Sequence, residues 1–304
     1  MTPIQRYLAE EVAHDHVDGL IPRREALRRL ALLGLGLPAA TALLTACGAP
    51  PDGATPATSP ATTPAAPATT ASPAGPEPLP TEAITFAGPE GTTLQAAWAA
   101  AAEPKGAVLV IHENRGLTDH IRSVAGRLAA SGYSALALDL LSREGGTATF
   151  SDTAAATAKL GEITDERFVA DMKAAVGELG RRADGAKLGM TGFCFGGGMT
   201  WLLLSSAEPR LAAAVPFYGP LPDGADMTGT KAAVLGVYAE QDDRVNASRD
   251  AAEAALTKAG LTHELVTFPG VGHAFFNDTG QRYDAAAAAQ AYERVLAWFG
   301  QHLA

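Results

Sequence analysis

The chain has 304 residues, 47% of them hydrophobic, and 23 Lys and Arg against 33 Asp and Glu give a formal net charge of −10. The apolar content is enough for a substantial core. The acidic balance, without a basic run or an arginine stripe, excludes a surface that tracks nucleic-acid phosphates.

Within residues 1–46 five arginines balance five acidic residues, so the rest of the chain carries the whole net charge. The stretch PRREALRRLALLGLGLPAATALLTACG holds a twin arginine (Arg23, Arg24), an apolar run from Leu30 to Leu44, and small residues before Cys47. The run is broken by Gly34, Gly36 and Pro38, and at about 15 residues it falls short of the ~20 that span a bilayer. A basic start, a short apolar core and small residues at the end are the marks of an export signal. Leu44-Thr-Ala-Cys47 resembles the bacterial lipobox, in which the cysteine becomes the lipidated N-terminus. Residues 1–47 are therefore expected to be a twin-arginine, lipoprotein-type signal segment. The protein is then expected to be exported across the bacterial cytoplasmic membrane and lipid-anchored to the cell envelope on its periplasmic or extracellular face, with plain cleavage near Ala46 as the alternative.

Residues 48–80 are almost wholly Pro, Ala, Thr, Ser and Gly. This composition buries no core and favours extended, polyproline-like chain, so the segment is expected to be a disordered stalk of at most about 100 Å. Lipid on Cys47 leaves Cys194 without an intrachain disulfide partner, although export would permit a disulfide.

From residue 81 to 304 short apolar runs alternate with amphipathic stretches. Strands are expected at 84–86, 94–98, 107–112, 134–138, 187–191, 212–218, 233–239 and 264–268. Helices are expected near 119–131, 164–180, 195–206, 248–259 and 282–302. Continuous apolar strands such as VLVIH suit a sheet buried on both faces, and the intervening helices suit crossovers, so the reading is one α/β domain with a mostly parallel sheet. Ligands bind such sheets beyond the carboxyl ends of the strands. The polar chemistry gathers in six segments just there: HENRG (112–116), DLLSRE (139–144), GFCFGGG (192–198), YGP (218–220), EQDDR (240–244) and PGVGHAFFND (269–278).

LGMTGFCFGGGMTW reads as strand, sharp turn, helix. Such an elbow lifts its central side chain, Cys194, to the top of the sheet and needs glycine where neighbouring chain approaches. The positive end of the following helix favours thiolate over thiol; a packed cysteine in a glycine-rich helix start is the plain alternative. An acid, Asp242 or Asp243, then follows the strand AAVLGVYA, and His273 follows ELVTF. Nucleophile, acid and histidine in that order, each after a strand, make the α/β-hydrolase arrangement, in which the carboxylate holds the histidine that takes the nucleophile's proton.

With VIHENRGL (110–117), GFCFGG (192–197), QDDRV (241–245) and GHAF (272–275), residues 81–304 resemble the dienelactone hydrolase family of the α/β-hydrolase superfamily. The resemblance implies a single α/β-hydrolase domain of about eight strands and no metal or organic cofactor. It implies Cys194 as nucleophile, Asp242 rather than Asp243 as acid, His273 as base, and Glu113 as an aid to thiol deprotonation. Glu113 could instead pair with Arg115 or Arg122. The oxyanion donors would be the backbone amides of Phe195 and Asn114.

The family's substrate-clamping arginine after the histidine is missing. Asn277 and Asp278 stand there, and a neutral amide does not replace a bidentate guanidinium; Arg115, Arg244 or Arg282 could serve from elsewhere. Trp98, Tyr218, Phe276 and Trp201 read as core or pocket wall. The expectation is a cysteine hydrolase of a small-molecule ester or lactone. The alternatives are a ligand-binding surface lipoprotein without chemistry, or a peptidase or acyltransferase on the same scaffold.

Overall fold

The computed structural model describes residues 1–48 and 74–304, in two compact units. One comprises residues 1–48 with 157–162; the other comprises 74–156 with 163–304. Most of the expected stalk, 49–73, lies outside the described residues.

In the smaller unit α1 (Pro3–Val17), α2 (Arg23–Leu32) and α3 (Leu37–Ala46) bury Leu8, Val12, Ala26, Leu30 and Leu44. The start of α1 is a reciprocal capping box: the Gln5 amide donates to Thr2 Oγ1, and the Gln5 side chain accepts from the Thr2 amide. No helix among the described residues is long and apolar enough to cross a membrane.

The larger unit is built on an eight-stranded sheet in the order β1-β2-β4-β3-β5-β6-β7-β8. The strands are β1 (Glu82–Ala87), β2 (Thr93–Ala99), β3 (Gly106–Ile111), β4 (Tyr133–Asp139), β5 (Leu188–Phe193), β6 (Leu211–Phe217), β7 (Ala233–Gln241) and β8 (His263–Gly272). Only β1–β2 and β2–β4 are antiparallel; every other pair is parallel. All residues of β3, β4 and β5 are buried, as unbroken apolar runs require when helices cover both faces.

The further helices are α4 (Asp119–Ala130), α5 (Thr153–Gly161), of which residues 157–161 fall in the smaller unit, α6 (Asp165–Arg182), α7 (Phe195–Ser205), α8 (Asp243–Asn246), α9 (Arg249–Lys258) and α10 (Ala285–His302). Capping explains several of their ends. Thr164 accepts from the Arg167 amide at the start of α6, with Asp165 and Glu166 in the first turn and Arg181 and Arg182 in the last. Asp284 accepts from the Ala287 amide and starts α10 three residues later than the apolar periodicity suggests.

Two details depart from the sequence reading. Residues 74–80, expected in the stalk, belong to the larger unit: Leu79 N–H donates to Gly126 O (3.1 Å) and Ala74 O accepts from Arg127 (3.0 Å). The packed body therefore begins before residue 81. Strand β8 also continues past Phe268 to Gly272, because an irregularity after Ala239 brings Gln241 opposite Gly272. The next residue on each strand is Asp242 on one and His273 on the other, so the sheet register delivers this pair side by side.

Candidate active site

Cys194 sits between β5 and α7 with φ 56° and ψ −117°, a conformation that side chains other than glycine rarely adopt. The surrounding packing sustains it. A Cβ at Gly192 would stand 2.1 Å from Gly196 O, one at Gly196 2.4 Å from Ile111 O, and one at Gly197 2.2 Å from Phe217 O. These glycines let the turn close and let α7 press onto β3 and β6. The backbone closes it too, with Cys194 N–H on Phe217 O and Gly198 N–H on Cys194 O, both 3.1 Å.

His273 Nδ1 bonds Asp242 Oδ2 at 2.6 Å, and both side chains are buried. An ionised carboxylate only accepts, so Nδ1 carries the proton and Nε2 keeps the lone pair that a base needs. The other Asp242 oxygen caps α8 by accepting from Val245 N–H (3.4 Å). Burial pushes the Asp242 carboxyl up, but the His273 charge and hydrogen bond, with Arg244 and the Val245 amide, outweigh it and hold it below the usual carboxylate range. Asp243, the rival acid, is exposed in the first turn of α8. Cys194 Sγ and a ring nitrogen of His273 lie within 4.8 Å of each other. The Tyr218 ring stands edge-on to the His273 ring (centroids 5.1 Å), and Tyr218 and Ala274 both take positive φ.

Glu113 follows β3 in the loop that faces the start of α7. Its Oε2 accepts from Asn277 Nδ2 at 2.6 Å, while its Oε1 is buried with no hydrogen-bond partner. Asn277 Oδ1 in turn accepts from the Thr279 amide (3.0 Å) and hydroxyl (2.7 Å), which fixes the amide so that its NH₂ faces Glu113. Asn277 thus engages Glu113, while Arg115 is exposed. Asp278 turns the other way, to His120 Nδ1 (2.7 Å) and Arg127. Phe195 opens α7, where the positive end of the helix dipole favours negative charge; Asn114 lies in the loop after β3.

Of the aromatic residues, Trp201, Tyr218 and Phe276 are buried; Phe276 stacks on Phe193 beneath the elbow, at 5.3 Å between ring centroids. Trp98 lies on β2 under the Arg182 guanidinium (5.3 Å). Cys47 caps the C-terminus of α3 in the smaller unit. The structure therefore brings Cys194, His273 and Asp242 together at the carboxyl ends of β5, β7 and β8, and holds Glu113 with Asn277. The contacts of Tyr218 and Asn277 escape sequence reasoning, because no local pattern shows that they face His273 and Glu113.

A strained strand-to-helix elbow on this strand order, followed by an acid after β7 and a histidine after β8, defines the α/β-hydrolase fold. The profile of the dienelactone hydrolase family matches residues 94–303, and the chain belongs to that family. A provisionally named carboxymethylenebutenolidase of Escherichia coli K12 is 34% identical over 212 residues, covering 66% of this chain and 78% of that protein. One from Saccharolobus solfataricus is 30% identical over 241 residues, covering 68% and 93%. The crystal structure of a provisionally named dienelactone hydrolase from Klebsiella pneumoniae superposes with a TM-score of 0.63 at 31% identity, over 74% of this chain and all of that one.

Proposed function

We propose that this hydrolase cleaves a small carboxylic ester or lactone through a thioester on Cys194. One observation carries the reading: the Cys194 sulfur, on a strained elbow, lies within 4.8 Å of a ring nitrogen of His273, whose Nδ1–H is fixed by Asp242. In acylation the thiol proton passes to His273, Sγ bonds the carbonyl carbon, and the oxyanion is met by the amides of Phe195 and Asn114. The C–O bond then breaks and His273 returns the proton to the leaving alkoxide, which in a lactone stays on the acyl group. Water, deprotonated by His273, attacks the thioester; the thiolate leaves and the acid is released. Glu113 supports the first proton transfer as a buried carboxylate beside the site.

The substrate class follows from the amide at position 277. An Asn that donates to Glu113 offers no bidentate clamp, which favours an uncharged ester or lactone over one carrying a carboxylate. The segment composition supports export and a Cys47 anchor, with the hydrolase unit carried on the stalk outside the cytoplasmic membrane.

The test is turnover of a panel of short aryl esters and lactones by wild type and Cys194→Ala. Loss of all turnover in the variant is expected; wild-type rates on any accepted substrate would sink the nucleophile assignment. For the anchor, mass spectrometry of the mature N-terminus should find a lipidated Cys47, and an unmodified N-terminus elsewhere contradicts it.

A further inference from the structure

His112 is the last residue before the loop that carries Glu113 and Asn114, and it is fully buried. Both its ring nitrogens are used. Nδ1 bonds Glu113 O at 2.6 Å, and Leu140 N–H meets Nε2 at 3.1 Å. These partners fix the tautomer without ambiguity: a carbonyl only accepts and an amide N–H only donates, so Nδ1 carries the hydrogen and Nε2 the lone pair. A second proton on Nε2 would oppose the Leu140 N–H. Burial, against the nearby Asp139 carboxylate and the Glu113 carbonyl, also holds His112 below the usual histidine range.

The carbonyl that His112 grips belongs to the same peptide unit as the Asn114 N–H. In a trans peptide the C=O and N–H of one unit are coplanar and point to opposite sides, and no cis peptide occurs among the described residues. Fixing Glu113 O therefore fixes the direction of the Asn114 N–H. A hydrogen bond to the carbonyl also polarises the amide and strengthens its N–H as a donor.

The rest of the loop is pinned from the same side. Asp139, at the end of β4, accepts from the Thr147 amide (2.7 Å) and hydroxyl (2.8 Å), and Thr147 Oγ1 accepts from Leu117 N–H (2.9 Å). The His112 ring also lies near-parallel to that of Phe195, the residue carrying the other oxyanion amide, at 6.4 Å between centroids.

We infer that His112 is a positioning residue for the oxyanion hole: its Nδ1–H, by gripping Glu113 O, aims and polarises the Asn114 N–H. The inference rests on the proposed reading, in which that amide meets the oxyanion. His112 touches no reacting atom and acts through the peptide alone.

The experiment uses the full-length protein and two substitutions that divide the imidazole's functions. In His112→Asn the side-chain amide falls near the Nδ1 position and can still donate to Glu113 O. In His112→Gln it falls near Nε2, keeps an acceptor for Leu140 and loses the grip on Glu113. Kinetics with a short aryl ester are paired with alkylation of Cys194 by iodoacetamide, a displacement that forms no oxyanion.

His112→Gln should lose roughly 100-fold in kcat, in line with removal of one oxyanion donor, with KM little changed because the interaction matures only in the transition state. His112→Asn should recover to within about tenfold of wild type. Both should alkylate at the wild-type rate, which also shows that the site is folded. Unchanged kcat in His112→Gln, equal losses in the two variants, or alkylation falling in step with turnover would each overturn the inference. Cys194→Ala run alongside keeps the two ideas apart. Turnover persisting there removes the thioester mechanism itself, whereas an inactive Cys194→Ala beside a fully active His112→Gln removes only the role of His112.

Discussion

Gly196→Ala places the sharpest demand on the elbow. The added Cβ would lie 2.4 Å from Ile111 O, 2.6 Å from His112 O and 2.8 Å from Ile111 C, all backbone atoms at or just past the end of the buried strand β3. None can swing aside as a side-chain tip could. Restoring ordinary contact requires the start of α7 to retreat by about 1 Å, within the usual cost of overpacking, about 1–3 kcal/mol. In a domain of this size each kcal/mol lowers Tm by roughly 2–4 °C, so a fall of about 2–12 °C is expected. The same retreat carries Phe195 N–H and Cys194 away from the loop after β3. A misplacement of about 1 Å costs on the order of 100-fold in rate.

Gly198→Ala is the matched control. Its Cβ meets Pro220 O at 3.6 Å and Pro220 Cδ at 3.7 Å, ordinary contact. An alanine within the helix should therefore raise stability by about 0.5–1 kcal/mol. Differential scanning calorimetry with aryl-ester kinetics reads both variants. A Gly196→Ala protein with wild-type Tm and turnover would refute the reasoning.

Asp242→Asn should lose about 10³–10⁴-fold in kcat while remaining folded, because an amide no longer enforces the Nδ1–H tautomer of His273; circular dichroism and steady-state kinetics check it. Asp242 also makes a pH prediction. Its carboxyl is depressed in the folded state, so the stability it contributes is present above the unfolded value near ~4 and is lost as pH falls through the folded value. Acid titration of Tm should accordingly fall less steeply in Asp242→Asn than in wild type, and parallel curves would contradict this. Asp278→Ala leaves the buried Arg127 guanidinium without its carboxylate and should cost about 3–5 kcal/mol, read by urea unfolding; a loss below about 1 kcal/mol would refute the pairing as a buried one. Glu113→Gln should slow iodoacetamide alkylation of Cys194 by about tenfold at neutral pH, because it removes the carboxylate that supports thiol deprotonation; an unchanged alkylation rate would contradict that role.

Much of the fold is legible in single residues. Val108-Leu-Val-Ile111 reads as a strand covered on both faces, and every expected strand of the larger unit has a counterpart in the sheet. Gly192, Gly196 and Gly197 point to the elbow, and the close backbone approach at each accounts for them. The chain order Cys194, Asp242, His273 shows which loops carry polar chemistry.

What is not legible depends on partners far apart in sequence. The continuation of β8 to Gly272 arises from an irregularity in pairing with β7 that no local pattern announces. Helices α5 and α8 are too short for periodicity to show. Asn277 reads as a missing arginine until its amide is seen on Glu113, 164 positions away. His112 reads as the polar end of an apolar strand until Leu140 is seen to fill its second nitrogen.

The central claim is a covalent one, that Cys194 carries the acyl group. Rapid acid quench of wild-type protein mixed with an activated ester, followed by peptide mass spectrometry, tests it most directly. The account predicts one acyl group as a thioester on the peptide bearing Cys194, released by hydroxylamine. Turnover with that peptide unmodified at every quench time, or the acyl group found on another side chain, would contradict it.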